Sequence, residues 1–474
     1  MAPARTDELL TPATDGQTPV GVGPKDREGR LMHRSLVQHP SMVESASGVY
    51  LHLANGQRII DACGGAAVAL LGHGNEEVLQ AMADQARRVS YVHTQAYTTE
   101  PAEELADLLL DGRPYGLEKA FFVSSGSEAI ETAMKLARQY HYERGQPQRL
   151  HLISRRQAYH GNSMAAMSLS TATARKVPYQ GFGYPRVSHV SPAYAYRYRR
   201  GGETEGEYTA RLLAEIEAEF QRVGPGNVIA FVAETVVGAT AGCVAPPAGY
   251  LAGAREICDR HGALLVLDEI MCGTGRTGTF FAFEQEGGAA AVPDIVAIAK
   301  GLGGGYSPIS GVLVHERVVA ALRQGSKAFS HGHTYQAHPV ACAAALAVQK
   351  ILRRDRLVER CARLGERLGA MLRGELGGCR SVGDIRGRGL FWAVEFVRDR
   401  ETRETFDPDA RFGARVQERA FEKGVALYPG AGTVDGTRGD HVLLAPPFIT
   451  TEEQLEEVCR VFREAVEEIE AETL

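Results

Sequence analysis

Two ionisable residues lie where apolar, strand-like segments end, and both side-chain types can do chemistry there. Lys300 closes the apolar segment 295–299 and precedes a glycine-rich loop. Burial would lower the pKa of such a lysine and make its amine nucleophilic, although a strand-end ammonium can also extend to water. Asp268 ends the segment 263–268 at an edge where α/β sheets bind ligands, and it could hold a metal, pair with a cation or cap a turn. The two side chains could share one pocket.

A third polar site follows the apolar segment 119–123. Ser125, Gly126 and Ser127 open a segment with helical spacing. Ser125 and Glu128 have the spacing of a capping box, and a helix N-terminus with hydroxyls and a glycine can bind an anion. A plain N-cap is the alternative interpretation.

Other patterns have simpler explanations beside the chemical ones. His331, His333 and His338 suggest zinc, but no acidic or thiol ligand is near them in sequence, which favours a turn and an N-cap and predicts no metal site. Glycines in 273–278 have dinucleotide-fingerprint spacing, yet no amphipathic helix follows. Tyr159, in a Tyr-His-Gly segment, is either an aromatic platform over a flat ligand or part of a packed loop.

The elements that would position these residues alternate between short apolar strands and helices. Candidate strands are 119–125, 149–154, 228–234, 263–271, 295–300 and 309–314. Continuous apolar strands separated by helices predict an α/β fold with a mostly parallel sheet covered on both faces. Beyond residue 330 the pattern becomes α+β, and a hairpin around Asn55-Gly56 could join that module.

The composition restricts the class of protein. The chain has 474 residues, is 44% hydrophobic and carries a net charge of −6 at pH 7. These values exclude global disorder and argue against nucleic acid or an anionic membrane as partners. Eight cysteines form no C-x-x-C pair, no apolar run reaches the ~18 residues of a membrane helix, and residues 1–24 lack a signal-peptide core. We therefore expect a cytoplasmic protein with reduced thiols.

Five segments in this order resemble the class III aminotransferases, which are pyridoxal 5′-phosphate (PLP) enzymes of fold type I. The segments are SSGSEA, YHG, LDEIMCGTGRTG, AKGLGGG and HTYQAHP, within a resemblance that spans about residues 35–465. The resemblance implies a homodimer with shared active sites, a large PLP-binding domain and a small α+β domain built from both chain ends. The implied organisation is an arm at 1–30, small-domain segments at 31–80 and 336–474, and a large domain at 81–335.

The resemblance also implies roles for the residues described above. Lys300 matches the lysine that bonds the cofactor and later moves the substrate proton. Asp268 matches the carboxylate that faces the pyridine nitrogen, where an anion keeps that nitrogen protonated. Ser125, Gly126 and Ser127 match the phosphate-binding start of a helix.

Four further positions match residues around the cofactor. Tyr159 matches the aromatic residue stacked on the ring, and Ile270 matches the aliphatic residue on the other face. Thr334 matches the residue that reaches the phosphate of the cofactor in the partner subunit. Glu234 matches a glutamate near the aspartate, although Thr235 follows it where the family usually has proline.

The substrate site of such enzymes depends on a few positions. Ala239 stands where relatives that act on 4-aminobutyrate or ornithine carry a glutamate that switches an arginine. Its absence favours a pyruvate-using branch with Arg438 as a mobile carboxylate-binding arginine; a solvated loop arginine is the alternative. Residues 64–66 leave the substrate wall small, so Tyr91 or His93 could supply part of it.

The predicted function is transfer of an amino group from a primary amine or ω-amino acid to a keto acid, pyruvate being the expected acceptor. Two alternatives stay open at this point. One is an ω-amino acid:2-oxoglutarate aminotransferase. The other is an aminomutase or racemase of the same fold.

Overall fold

The computed structural model describes residues 30–37, 39–171 and 176–474, so the arm expected at 1–30 lies outside the described residues except for Arg30. Within this part, fifteen strands form three sheets. The strands are β1 (Val43–Ser47), β2 (Tyr50–Leu53), β3 (Arg58–Asp61), β4 (Leu117–Val123), β5 (His151–Arg155), β6 (Val187–Val190), β7 (Val228–Glu234), β8 (Leu264–Asp268), β9 (Ile295–Ile298), β10 (Ser310–His315), β11 (Val382–Arg388), β12 (Phe391–Phe396), β13 (Val425–Ala426), β14 (Tyr428–Ala431) and β15 (Asp440–Leu444).

Helices connect the strands and cover the sheets. Short helical turns lie at Gly64–Ala67, Met164–Leu169 and Ala195–Tyr198. The longer helices are Glu76–Arg88, Glu100–Leu110, Gly126–Glu143, Glu205–Val223, Tyr250–His261, Glu316–Gln324, Pro339–Arg354, Leu357–Leu376, Phe412–Glu422 and Glu452–Thr473. None of the described helices is both long enough and apolar enough to cross a bilayer.

The central sheet has seven strands in the order β4-β10-β9-β8-β7-β5-β6. Strands β5 to β9 pair in parallel, whereas β10 is antiparallel to both of its neighbours. Phe231 and Leu265 pack into a core on one face, and Val232 and Val266 pack into a core on the other. The continuous apolar strands therefore reflect burial on both faces, and the predicted mostly parallel α/β sheet is confirmed.

One of the two smaller sheets joins the N-terminal and C-terminal parts of the chain. The hairpin β2–β3 turns at Asn55-Gly56 as predicted, and β3 pairs in parallel with β13 from the last third of the chain. The third sheet has the order β11-β12-β15-β14. One core contains Val49 and Leu70 from the N-terminal part together with Trp392 and Phe462 from the C-terminal part. These sheets agree with the fold that the resemblance implies; the exact domain boundaries stay a prediction.

Candidate active site

Three ionisable side chains lie at one edge of the central sheet because the strands that carry them are neighbours. In the parallel register, Glu234 at the end of β7 is opposite Asp268 at the end of β8, and Asp268 is opposite Ala297 in β9. Lys300 follows three residues after Ala297. The carboxyl ends of parallel strands are where open α/β sheets bind ligands, so strand order alone brings these groups to one site.

The Asp268 carboxylate is buried and fixed by two contacts. Its Oδ2 lies 2.8 Å from His160 Nδ1, and its Oδ1 accepts a hydrogen bond of 3.0 Å from the Ile270 N–H. The His160 side chain is fully buried, and its Nε2 lies 3.3 Å from Ser154 Oγ. A carboxylate held by two such contacts is oriented with little freedom.

His160 is the functional candidate that the sequence analysis missed. The Tyr-His-Gly segment was noted, but Tyr159 alone was interpreted chemically. The sequence offers one indication of it, because His160 is an ionisable ring directly after Tyr159 in the loop that follows β5. Pairing with Asp268 across 108 residues depends on strand order, which the local pattern does not contain.

Glu234 joins the loop after β5 to the sheet. Its Oε1 accepts a hydrogen bond of 3.0 Å from the Tyr159 N–H, and its Oε2 accepts one of 3.2 Å from the Gly238 N–H. Burial raises the pKa of Glu234, His160 lowers it, and Asp268 raises it further. Glu234 therefore positions the loop that carries Tyr159 and His160.

Lys300 begins a tight turn, Lys300–Leu302, immediately after β9. Its φ of 40° lies in the left-handed region, which is uncommon for a residue with a side chain. Burial lowers the pKa of the Lys300 amine to about 8, while Asp268 and Glu234 act in the opposite direction. A larger fraction of this amine is consequently neutral and nucleophilic near neutral pH than in an exposed lysine.

The helix Gly126–Glu143 begins with the predicted capping box. Ser125 Oγ accepts a hydrogen bond of 3.3 Å from the Glu128 N–H, and Glu128 Oε2 accepts one of 3.1 Å from the Ser125 N–H. The Ser127 hydroxyl accepts a hydrogen bond of 2.9 Å from the Asn162 N–H. The first N–H groups of a helix have no intrahelical acceptor, so this N-terminus is also suited to an anion.

The start of this helix packs closely against two neighbouring segments of the chain. A Cβ built on Gly126 would lie 3.1 Å from two carbons of Ile270, so glycine lets the helix start approach the side chain two residues after Asp268 closely. A Cβ on Gly161 would lie 2.8 Å from Ser127 Oγ. A helix N-terminus, a fixed carboxylate and a partly desolvated lysine are the donor set that PLP requires, and these residues fit that group.

The other predicted residues lie on the surface of the single chain. Thr334 and His93 are exposed, and Tyr91 makes an edge-to-face contact with Tyr335 at 6.0 Å. The Arg438 side chain is 62% exposed, and its Nε donates a hydrogen bond of 2.7 Å to Asp435 Oδ2.

The loop that carries Arg438 is nevertheless tied to the site. The Gln157 amide donates hydrogen bonds of 2.8 and 2.9 Å to the carbonyls of Gly432 and Thr433. Gln157 precedes Tyr159 by two residues. Arg438 therefore belongs to a loop anchored on the segment that carries Tyr159, with its guanidinium paired at the surface.

Similar proteins are known over nearly the whole length of the chain. Residues 31–466 match the family Aminotransferase class-III. An aminotransferase of Schizosaccharomyces pombe is 49% identical over 453 residues, which cover 96% of this chain and 98% of the relative. The putrescine–pyruvate aminotransferase of Pseudomonas aeruginosa is 35% identical over 91% of this chain and 92% of its own length.

The fold also matches solved structures. The crystal structure of the omega transaminase from Pseudomonas jessenii in complex with PMP has a TM-score of 0.85 and 32% sequence identity to this chain. The match covers 91% of this chain and 93% of that chain.

Proposed function

This chain belongs to the class III aminotransferases, and we propose that it transfers an amino group from a primary amine or ω-amino acid to pyruvate with PLP as cofactor. The observation that supports this proposal most directly is the arrangement at the sheet edge. A partly desolvated Lys300 lies beyond β9, beside the buried Asp268 carboxylate at the end of β8. Transamination requires such an amine and such an anion.

Each residue has a distinct task in this proposal. When bound, PLP supplies an electron sink that stabilises loss of the substrate proton. Lys300 Nζ anchors the cofactor and later moves that proton as a base. Asp268, oriented by His160, keeps the ring nitrogen protonated, and Glu234 fixes the loop that presents Tyr159 to the ring.

The proposed phosphate contacts are at the start of the helix Gly126–Glu143. Ser125, Gly126 and Ser127 bind the phosphate through backbone N–H groups and hydroxyls. Ile270, which packs against Gly126, covers the second face of the ring.

The choice of pyruvate depends on the substrate side of the site. Ala239 is partly buried in an apolar cluster with Ala67 and Val236, so no carboxylate is present there to neutralise a fixed arginine. An unpaired buried guanidinium facing an apolar amine would be costly. Arg438, on an anchored loop and paired only at the surface, can instead reach the keto acid carboxylate when one is bound. Tyr91 and His93 are the proposed wall residues.

We propose a homodimer in the cytoplasm. Thr334 is exposed in the single chain, and the adjacent Tyr335 and the Tyr91 ring that contacts it are 60% and 42% exposed. A partner subunit that covers these aromatic rings would receive Thr334 at its own cofactor phosphate. Light scattering should report twice the mass of one chain.

An amine-donor panel tests the function. Purified holoenzyme is incubated with each amine and with either pyruvate or 2-oxoglutarate, and alanine or glutamate is measured. Alanine formation with release of a carbonyl product supports the proposal. Glutamate alone would reassign the acceptor, and isomerised substrate without a carbonyl product would indicate an aminomutase or racemase.

The acceptor assignment has its own variant. Arg438→Ala should raise the KM for pyruvate by about tenfold or more, as expected for a lost charge-assisted pair, with the amine half-reaction unchanged. Arg356→Ala is the matched control, because Arg356 forms a comparable exposed ion pair with Glu359 at 3.2 Å. Equal loss in both half-reactions would make Arg438 structural.

A further inference from the structure

The loop of residues 62–72, which follows β3, shares its apolar packing with two segments of the catalytic edge and packs on the third. Ala67 shares an apolar cluster with Val236, two residues after Glu234, and with Met271, the residue after Ile270. A Cβ built on Gly301 would lie only 2.7 Å from Leu70 Cδ1, so Leu70 packs directly on the turn that begins with Lys300. The 62–72 loop therefore borders the proposed amine site.

The backbone of this loop does not follow a regular structure. Gly64, Gly65 and Gly72 have φ values of 56°, 68° and 64°, and Ala67 has a φ of 62°. The left-handed conformation at a non-glycine residue costs roughly 1–2 kcal/mol. Contacts from outside the loop must therefore define its shape.

One buried carboxylate joins both ends of the loop. Asp61 is 2% exposed, and its Oδ1 accepts hydrogen bonds of 3.3 Å from the Cys63 N–H and 3.1 Å from the Gly65 N–H. Its Oδ2 lies 3.3 Å from His73 Nε2, beyond the other end. His73 is itself fixed, because it exchanges backbone hydrogen bonds of 2.9 and 2.8 Å with Gly48.

The charge on Asp61 is stabilised by these donors. Burial alone would raise the pKa of Asp61, but hydrogen bonds from His73, Gly65 and Cys63 lower it below its usual value. Gly65, whose N–H is bonded to this carboxylate, is exposed, and a Cβ built on it would meet no atom within 4 Å. The Asp61–His73 pair thus fixes a glycine-containing segment whose backbone is exposed at Gly65.

We infer that Asp61 and His73 are positioning residues that hold the 62–72 loop as a fixed wall of the amine site and so determine how bulky an amine can be. The identity of the ligand as an amine rests on the proposed function, whereas the positioning of the loop by Asp61 and His73 does not. A loop released from Asp61 would sample several positions. The wall would then discriminate less between compact and bulky amines.

The first experiment measures the loop without turnover. In His73→Ala, hydrogen exchange of peptides covering residues 62–72 should accelerate by about tenfold or more, because a hydrogen bond to a charged group is lost. His73→Gln, which retains an N–H donor, should restore most of the protection. His261→Ala is the matched control. His261 Nε2 lies 2.8 Å from Glu217 Oε1, and this pair does not involve the 62–72 loop.

The second experiment measures selectivity. The ratio of kcat/KM for a compact and a bulky primary amine should fall by about tenfold in His73→Ala, through KM more than kcat, and should recover in His73→Gln. If His73→Ala does not fold, Asp61→Asn is used in the same two assays.

The outcomes separate the two levels of inference. Unchanged exchange in the loop, or an equal change in His261→Ala, would overturn the positioning role. Faster exchange with an unchanged selectivity ratio would overturn the assignment of the loop as an amine-site wall. A wild-type protein that converts no amine would refute the proposed function, and the exchange data would still decide whether Asp61 and His73 fix the loop.

Discussion

At the residue scale, the site is defined by the contrast between two adjacent buried carboxylates. Asp268 contacts His160 and the Ile270 N–H at the ligand-binding edge of the sheet. Glu269 accepts hydrogen bonds from Thr235 Oγ1 at 2.9 Å and from the Phe283 N–H at 2.8 Å. Burial raises the pKa of Glu269 to about 7. The Asp268 carboxylate is therefore held at the ligand-binding edge, whereas the Glu269 carboxylate links neighbouring segments through its hydrogen bonds.

Asp268→Asn should preserve the fold and reduce kcat by about a hundredfold or more. Asparagine retains an acceptor for the Ile270 N–H but removes the anion that the ring nitrogen needs. Thermal unfolding and single-turnover kinetics measure the two effects separately. Glu269→Gln is the matched control and should keep most of the turnover while lowering Tm. Activity of Asp268→Asn close to that of the wild type would mean that another carboxylate faces the ring.

The Lys300 amine should lose its proton at a lower pH than other lysines. Its pKa is lowered to about 8 by burial, so the neutral fraction rises as the pH passes through 8. Competitive acetylation of the apoprotein, read by mass spectrometry between pH 6 and 11, reports this midpoint for each lysine peptide. Lys423 is the control, because hydrogen bonds and charges from Glu468 and Glu464 raise its pKa. A Lys300 midpoint as high as that of Lys423 would contradict the desolvated site.

At the element scale, the start of the helix Gly126–Glu143 must approach the loop after β8. The Cβ of any other residue at position 126 would press on Ile270. We therefore expect Gly126→Ala to weaken PLP binding by about tenfold, because Ile270 would be displaced by a few tenths of an ångström from the proposed ring face. Titration of the apoprotein with PLP, followed by absorbance, gives the dissociation constant.

Gly206→Ala is the control for this substitution. Gly206 lies in the first turn of the helix Glu205–Val223, and a Cβ there would meet no atom within 4 Å. Alanine should stabilise that helix by roughly 0.5–1 kcal/mol and leave PLP binding unchanged. If both variants bind PLP as the wild type does, Gly126 has only a role in folding.

The sequence predicts best those strands that are buried on both faces of the sheet. Segment 228–234 is buried at every position and coincides with β7, because a strand covered on both faces is apolar throughout. The sequence analysis missed β6, which is partly exposed, and β11, whose segment VGDIRGR contains glycine and charges. Strand β6 pairs in parallel with β5, which is distant in sequence, so its pairing leaves no local pattern. Strand β11 forms a hairpin with the next strand, β12, but its glycines and charges obscure the apolar alternation that would reveal a strand.

The same reasoning explains which site residues could be found. Lys300 and Asp268 terminate apolar strands, so their positions are visible in the sequence. His160 and His73 act through carboxylates at the ends of other strands, Asp268 in β8 and Asp61 in β3. Those contacts depend on how the chain folds back on itself, which periodicity and spacing do not encode.

At the scale of the whole molecule, acid stability depends on histidines buried without charge. His141 Nε2 lies 2.8 Å from the Ile229 carbonyl oxygen, and burial lowers the pKa of His141 to about 4. His441 is fully buried, and burial together with the charge of Arg386 lowers its pKa to about 3. Each ring is neutral in the folded chain at pH values where the unfolded chain would protonate it.

The sign of the pH effect follows from proton counts. Between the ordinary histidine pKa of 6.5 and the folded value of about 4, the unfolded chain binds more protons at His141 than the folded chain does. The free energy of unfolding therefore rises with pH across this window and falls on acidification. The pKa difference corresponds to about 3 kcal/mol for His141 once the pH is below 4.

His141→Gln should weaken this dependence. Glutamine can still donate a hydrogen bond to Ile229 but takes up no proton on unfolding. Tm measured at one protein concentration between pH 4.5 and 7.5 should fall less steeply with acid in His141→Gln than in the wild type. His39→Gln is the control, because His39 is exposed and its replacement should leave the slope unchanged. Parallel curves for all three proteins would show that the acid sensitivity of this molecule arises from groups other than its buried histidine at position 141.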